Sequence, residues 1–459
     1  MKNKDKDMIE IINHLKSFGF VFQSSEIYGG LSNTWDYGPL GILLINNIKK
    51  NWWKKFITLE HKNVGFDSKV LLNSKVWHSS GHLQNFADPL IENKINNKRY
   101  RADHIYEEIT NQNSSSLTDK ELENWIKENV KEYDNSKTDW TEIKHFNLMF
   151  KTGQGVVEET KNQLYLRPET AQGIFINFNN VQRAMRLKLP FGIGQIGKSF
   201  RNEVTPGNFI FRTREFEQME LEYFTFPNDD ENAYQYYVEK SKKFILDLGI
   251  NEESIRLRIH SKDELAHYAK ATTDIEFEFP FGWGELMGIA NRTDFDLKAH
   301  NKFSDIELKY FDQESNQTII PYVIEPSVGV DRLMLAIIVD SFCIEQIDQK
   351  DSRIIMKLDY KLCPYKVCVL PLVKAQSLQS KKIMEYLNEK DIETTFDESG
   401  SIGKRYRRQD AIGTFWCITY DYDSDVDNSV TIRNRDTMKQ ERIKIDQIID
   451  YINKNSNIK

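Results

Sequence analysis

Cysteine is scarce: Cys343, Cys363, Cys368 and Cys417 are the only four in 459 residues, with no C-x-x-C pair and no histidines at zinc-ligand spacing beside them. That excludes a disulfide framework and predicts reduced thiols and no structural zinc. Long apolar runs are also missing, and the opening MKNKDKDMIEIINHL mixes both charges instead of building the apolar core of a signal peptide, so the expected location is the cytoplasm. No charge of one sign dominates, because 62 Lys and Arg against 69 Asp and Glu leave a net of -7. A surface coated in positive charge is therefore excluded, and any polyanion must be met by a local patch. What is present is a folding-competent composition, 39% hydrophobic and 12% aromatic, in a chain too long for one core; two or three domains of ~150 residues are expected.

The most informative stretch is Ser199 to Phe224, SFRNEVTPGNFIFRTREFEQMELEYF. Pro206-Gly207-Asn208 predicts a turn, so the segment reads as two strands joined by a loop from Val204 to Asn208. With period two, Arg212, Arg214, Phe216, Gln218, Glu220 and Glu222 share one face, and Phe211, Thr213, Met219, Leu221 and Tyr223 the other. The second face is core. The first, with Arg201 and Glu203 from the incoming strand, offers arginines, carboxylates and an aromatic ring to an anionic, aromatic ligand such as a nucleotide.

The rest of the chain supplies further outlying charges. Met8 to Phe18 is helical, and NTWDYGPLG opens a long helix at Pro39 with an apolar stripe of Leu43, Leu44, Ile48, Trp52 and Phe56. Arg99, Arg101, Asp103 and His104 cluster in a loop. Thr118 and Glu121 form a capping-box pattern within residues 111–141, read as a mobile polar insertion facing a large partner. In LYLRPETAQGIF, Glu169 lies at a helix start, where capping is the plain explanation. Glu285 and Arg292 sit inside the apolar run from Phe277 to Leu297 and need pairing or a ligand to offset burial. YVIEPSVGVDRLMLAII places Glu325 at a strand end, Ser327 and Gly329 in a turn, and Arg332 at a helix N-terminus, where a cation needs an anion beside it. Beyond Cys363-Pro364 strands and helices alternate, so a boundary near Tyr360 is expected. Lys404, Arg405, Arg407 and Arg408 there form the densest positive patch, at the mouth of a βαβ unit.

FRNE with FRTREFEQME resembles the second signature motif of class II aminoacyl-tRNA synthetases, GVDRLML the third, and DYGPLG with its helix the first, which supports a dimer interface in that family. RPETAQG and EPS at Glu325 to Ser327 resemble the glycine-specific version. The resemblance, to the single-subunit homodimeric glycyl-tRNA synthetase family, runs from Phe18 to the C-terminal segment. It implies an α/β (α+β) fold: an antiparallel-sheet catalytic domain over residues 1–360 with helices, and an α/β anticodon-binding domain over 361–459. Phe415 stands in IGTFWC where the family usually has proline, which implies an altered local turn.

The activity implied is ATP-dependent attachment of glycine to tRNA(Gly) through glycyl-adenylate, with Mg²⁺. On the resemblance, Arg201 bridges the α-phosphate and the glycine carboxylate, Arg332 holds the γ-phosphate, Arg212 contacts phosphate, Glu203 reads the adenine amino group and Phe216 stacks on adenine. Asn202, Phe211, Leu286 and Gly329 complete the ATP contacts, and Glu285 holds Mg²⁺ and ATP. Glu169, Glu220, Glu325 and Ser327 surround the glycine ammonium, with Phe216, Arg292 and Gly329 beside it and Arg99 or Arg101 closing the pocket. Lys404, Arg405, Arg407 and Arg408 take tRNA. Two alternatives remain at this point: a non-catalytic synthetase-like nucleic-acid-binding accessory protein, and a class II ligase for another small amino acid. The first would be expected to lose the nucleotide-binding charges, which are all present.

Overall fold

The computed structural model describes residues 3–110, 112, 114, 117–155, 163–266, 268–349 and 351–456. A seven-stranded sheet organises it. Its strands are β1 (Asn63–Gly65), β2 (Phe191–Phe200), β3 (Glu215–Thr225), β4 (Ile255–Ile259), β5 (Ala271–Phe279), β6 (Gly282–Thr293) and β7 (Tyr322–Gly329), arranged β4-β5-β6-β7-β3-β2-β1. Neighbours are antiparallel except the parallel pair β1 and β2.

One face of this sheet is sealed by three helices, α1 (Pro39–Trp53), α2 (Asp230–Asp247) and α3 (Val330–Ser341). Strand residues Met219, Leu221, Ile275, Phe277, Met287, Ile289, Ile324 and Val328 alternate toward them and are buried. Helix α1 starts at Pro39, whose missing N–H would have been unpartnered in the first turn anyway. Its Leu44, Ile48 and Trp52, with Phe56 just beyond, recur every four residues and are fully buried, as the stripe predicts. Gly194 of β2 lets this layer close up, since a side chain there would collide with Ile57 and press on Trp52.

The expected hairpin is there with a longer loop than anticipated. Residues 201–214 lie outside the ladder, which resumes with Phe200 opposite Glu215. Asn208 and Phe209 both adopt left-handed φ (54° and 59°), and a 3-10 turn follows over Phe209–Phe211, so the pleat ends before Arg201 and restarts after Arg214. The alternation holds only for β3, and Phe211, assigned to the core face, packs against that core from outside the strand and also lines a cavity.

The described residues of the segment 111–141 are folded and packed. Within them the predicted capping box is made, Thr118 and Glu121 exchanging bonds at the head of helix Asp119–Asn129. Leu122, Ile126, Val130 and Trp140 pack on Ile91, Ala102 and Ile105 in a small core of their own. Residues 111, 113, 115 and 116 of that segment lie outside the described ones.

Past residue 360 a second sheet follows: β8 (Val367–Pro371), β9 (Thr394–Phe396), β10 (Trp416–Tyr420), β11 (Ser429–Asn434) and β12 (Gln440–Lys444), in the order β9-β8-β10-β11-β12 with the first three parallel. It carries its own core with helices Ser377–Glu389 and Ile448–Asn455. Phe415 fills the seam where proline was expected, packing edge-on to Tyr360 at 5.4 Å under the Arg435 guanidinium.

Candidate active site

The face of the seven-stranded sheet turned away from the helices carries a cavity of about 340 Å³. Its floor follows from register. Asp274, Gly288, Ser327 and Glu220 stand in one row across four adjacent strands, and Thr272, Ala290 and Glu325 in a row two residues further along β5, β6 and β7. With period two, all point to the same side. Small residues in the middle strands, Gly288, Ala290 and Ser327, give the cavity depth while long polar chains wall it.

At one end carboxylates crowd together. Glu220 accepts bonds from Thr170 N–H (2.8 Å), the Thr170 hydroxyl, Gln218 Nε2 (3.0 Å) and Ser327 Oγ (2.9 Å). Burial and the nearby Glu169 push its carboxyl up. Glu169 is not a helix cap: it lies 3.4 Å from His82 Nε2 and accepts from Gln172 Nε2 at 3.1 Å, and these partners with Arg292 overcome burial and hold it well below the carboxylate range. Glu325 is pushed up to about 8 by burial and by Glu220 and Glu169, against the pull of Arg292. Glu222, one step further along β3, has neither oxygen hydrogen-bonded among the described residues and is driven well above its usual range by burial and Glu325. Among the described residues, Arg292 is the arginine set in their midst. It pairs with Asp296 at 2.8 and 2.9 Å and with Glu325 at 2.7 Å, while the Tyr268 ring lies 4.0 Å from its guanidinium carbon. This end can hold a small cation, and it is already crowded.

At the other end arginines meet carboxylates. Arg201 donates through Nε to Pro168 O (3.2 Å) and lies between the Phe86 and Phe216 rings at 5.4 and 5.3 Å. Arg332, at the head of α3, finds the anion its position demands in Glu285 (3.1 Å), bonds Phe211 O (3.1 Å) and sits over the Phe211 ring at 4.5 Å. Opposite Glu285 across Gly288 stands Asp274, pushed up to about 6 by burial and by Glu285 and bonded to His260 Nε2 at 2.6 Å. Among the described residues no group of three or more His, Cys, Asp or Glu is arranged to hold a metal ion.

Of the expected site residues, Glu169, Arg201, Glu203, Phe211, Arg212, Phe216, Glu220, Glu285, Leu286, Arg292, Glu325, Ser327, Gly329 and Arg332 all line this one cavity. Three do not. Arg99 is exposed and paired with Glu92 at 2.8 Å; Arg101 is drawn off by Asp88 (3.0 Å) and Asp103 (2.6 Å); Asn202 lies outside the lining, its N–H donated to Leu148 O. The positive patch of the second sheet is also less open than its spelling. Arg405 is buried, bonding Gly400 O and Pro371 O; Arg407 pairs with Asp351 and Arg408 with Asp397 (2.6 Å), so Lys404 is the exposed cation of the four. Sequence reasoning missed His82, Asp274 and Asp296. Alternation in TTDIEFEF puts Asp274 opposite the apolar Ile275 and Phe277 and could have exposed it; His82 and Asp296 gave no periodic signal.

An antiparallel sheet backed by helices, with arginines from a long hairpin loop and from a helix head converging on one cavity, defines a class II aminoacyl-tRNA synthetase core. Residues 150–342 match the family described as tRNA synthetase class II core domain (G, H, P, S and T), and residues 366–455 match the anticodon binding domain. A glycine–tRNA ligase of Mycoplasmopsis synoviae (strain 53) is 59% identical over 98% of this chain and all of its own. That of Alkaliphilus metalliredigens is 54% identical over 96% of this chain and 97% of its own, and that of Staphylococcus epidermidis 54% over 97% and 98%. The chain belongs to the glycine–tRNA ligase family. A prolyl-tRNA synthetase from Cryptosporidium parvum, solved with L-proline and AMP, shares the fold at 12% identity, with a TM-score of 0.63 over 97% of this chain and 77% of its own.

Proposed function

We infer that this ligase joins glycine to tRNA(Gly) in two steps within the cavity. A glycine carboxylate oxygen attacks the α-phosphorus of ATP, the bond to the β-phosphate breaks and pyrophosphate leaves; the terminal ribose hydroxyl of the tRNA then attacks the acyl carbon and AMP leaves. Both steps depend on alignment and charge neutralisation more than on proton transfer.

The observation that carries this reading is that one cavity holds a cation-accepting end and a phosphate-accepting end side by side. At the first, Glu169, Glu220, Glu325 and Ser327 receive the ammonium, while Arg292 and the Tyr268 ring occupy the room a side chain would need; exclusion by crowding suits an amino acid with no side chain. At the second, Arg201 spans the α-phosphate and the glycine carboxylate as a planar fork, Arg212 and Arg332 take the outer phosphates, Glu203 reads adenine, and Phe216 stacks on it. Glu285 and Asp274, facing each other across Gly288, fit a hard divalent cation that draws its other ligands from phosphate oxygens and water. When bound, Mg²⁺ would neutralise phosphate charge.

We further assign residues 1–360 to the catalytic domain and 361–459 to the anticodon-binding domain, place the protein in the cytoplasm, and propose a homodimer. The dimer reading is supported by Ile27 and Tyr28, each 87% exposed, with Leu31 and Ile42 near the start of α1. Lys404 and its helix Ile402–Ile412 contact tRNA. The non-catalytic alternative is not favoured, since the arginines and carboxylates of the cavity are complete. Pyrophosphate exchange with purified protein, ATP and Mg²⁺ tests the reading: exchange should depend on glycine and not on alanine, serine, threonine or proline. Exchange with none of them would end it.

A further inference from the structure

The loop that carries Phe211 and Arg212 into the cavity is pinned by a residue about 180 positions earlier in the chain. Asn33 lies between the short strands Val21–Gln23 and Trp35–Tyr37, in a left-handed conformation (φ 43°) that asparagine tolerates. Its side-chain amide donates twice, to Phe209 O at 2.9 Å and to Arg212 O at 2.7 Å. Its carbonyl oxygen accepts from Trp35 Nε1 at 3.2 Å, which fixes the amide's orientation. The Trp35 ring in turn meets Phe209 edge-on at 4.7 Å, and Arg214 donates back to Ser32 O at 3.4 Å.

These contacts fall where the loop most needs them. Phe209 holds a left-handed φ of 59°, an unfavourable conformation for a residue with a bulky side chain, so surrounding contacts must maintain it. Two residues on, the Phe211 carbonyl holds Arg332 Nε at 3.1 Å and the ring lies beneath its guanidinium. Thus the position of the 209–212 turn sets two arginines at once, Arg212 through its backbone and Arg332 through Phe211. The loop's own backbone bonds, Gly207 and Arg212 each donating to the other's carbonyl (3.0 and 3.2 Å) and Phe211 N–H to Asn208 O (3.1 Å), close the turn on itself, and Asn33 ties it to the rest of the fold through Phe209 O and Arg212 O.

We propose that Asn33 is a positioning residue for ATP: its amide holds the 209–212 turn so that Arg212 and Arg332 are set for phosphate before the nucleotide arrives. This rests on the reading of the cavity as an ATP and glycine site. Asn33 touches neither substrate end directly, and no contact of its side chain reaches Glu169, Glu220 or Glu325, so its effect should fall on ATP alone.

Two variants test it. Asn33→Asp keeps tolerance of the left-handed turn and the acceptor for Trp35, but turns a donor toward two carbonyl oxygens into an acceptor. Asn33→Gly keeps the backbone and removes the side chain. Losing two neutral hydrogen bonds that order the loop should raise KM for ATP in pyrophosphate exchange about tenfold or more, with KM for glycine changed less than twofold. Binding of labelled ATP by equilibrium dialysis should weaken by the same factor, a readout independent of turnover. Should Asn33→Asp fail to fold, Asn33→Gly carries the test. Unchanged ATP affinity in folded Asn33→Gly protein overturns the role, as does a parallel rise of both KM values, which would mark general damage. A wild-type protein that binds no ATP in dialysis overturns this role and the proposed function together, whereas wild type that binds ATP and exchanges with glycine leaves only Asn33 in question.

Discussion

Replacement of Arg201 by alanine should reduce glycine-dependent pyrophosphate exchange by about 10²- to 10⁴-fold, and the geometry says how the loss divides. Its Nε is tied to Pro168 O and its guanidinium carbon lies 5.4 Å from the Phe86 ring and 5.3 Å from the Phe216 ring, which leaves the terminal nitrogens to the cavity it lines. A guanidinium fixed in this way can make two charge-assisted bonds to the α-phosphate and the incoming carboxylate. At about 1.5–3 kcal/mol each, their loss is about 3–6 kcal/mol of transition-state stabilisation, and each 1.36 kcal/mol is about tenfold in rate. Arg201→Lys restores the charge but not the planar fork, so it should recover only part of the activity and stay about 10²-fold below wild type. The assay is exchange at saturating ATP and glycine, because an interaction made mainly in the transition state lowers kcat more than it raises KM. Thermal denaturation of both variants separates this from unfolding. Arg201→Lys within threefold of wild type would refute the reasoning, since a mobile point charge would then suffice.

Other outcomes follow from the same geometry. Gly41→Ala in α1 should destabilise the protein by about 1–3 kcal/mol in denaturant melts, because the new methyl would overlap the Phe20 carbonyl oxygen and that penalty exceeds the ~1 kcal/mol helix-propensity gain of alanine over glycine; an equal or raised midpoint would show that the close approach is relieved at no cost. KM for glycine should fall as pH rises from 6 toward 8, since only an ionised Glu325 attracts the ammonium and burial with its acidic neighbours pushes it up to about 8. A folded-state value raised above the unfolded one means that the stability owed to the protonated form is present below the ordinary carboxylate range and lost as pH climbs toward 8, so glycine should stabilise the protein against heat more at pH 8 than at pH 6. Glu325→Gln should flatten both profiles, and a flat wild-type profile would remove Glu325 from the ammonium site. Asp274→Asn should raise the Mg²⁺ concentration needed for half-maximal exchange severalfold; no change would leave Glu285 without that partner. Lys404→Glu should raise KM for tRNA in charging while exchange stays at the wild-type rate, and unaltered charging would make Lys404 a solvated side chain.

What was legible in the sequence was whatever a local period could carry. The core helices, the pleated part of β3 and the alternating units beyond Cys363 all follow from spacing, because burial of one face leaves a repeat of 3.6 or 2 in the residues themselves. The hairpin loop was not legible for a non-local reason: nothing in TPGNFIF announces that a phenylalanine will accept a left-handed φ, since that conformation is maintained by Asn33 and Trp35 from a distant segment. Charge was the hardest to interpret, because a side chain's availability depends on partners that composition does not reveal. Arg332 looked anomalous at a helix head and has its anion in Glu285, so its anomaly marked a site. Arg99 and Arg101 looked available and are engaged by Glu92, Asp88 and Asp103. Arg405 belongs to the densest basic run in the chain and spends its guanidinium on Gly400 O and Pro371 O, holding the turn before helix Ile402–Ile412. A run of cations is therefore a weak sign of a nucleic-acid surface, whereas a cation out of place against a helix dipole or inside an apolar strand is a strong sign of a site: such a position is unfavourable unless a specific anion answers it. Arg292 and Arg332 both met that condition, and both line the cavity.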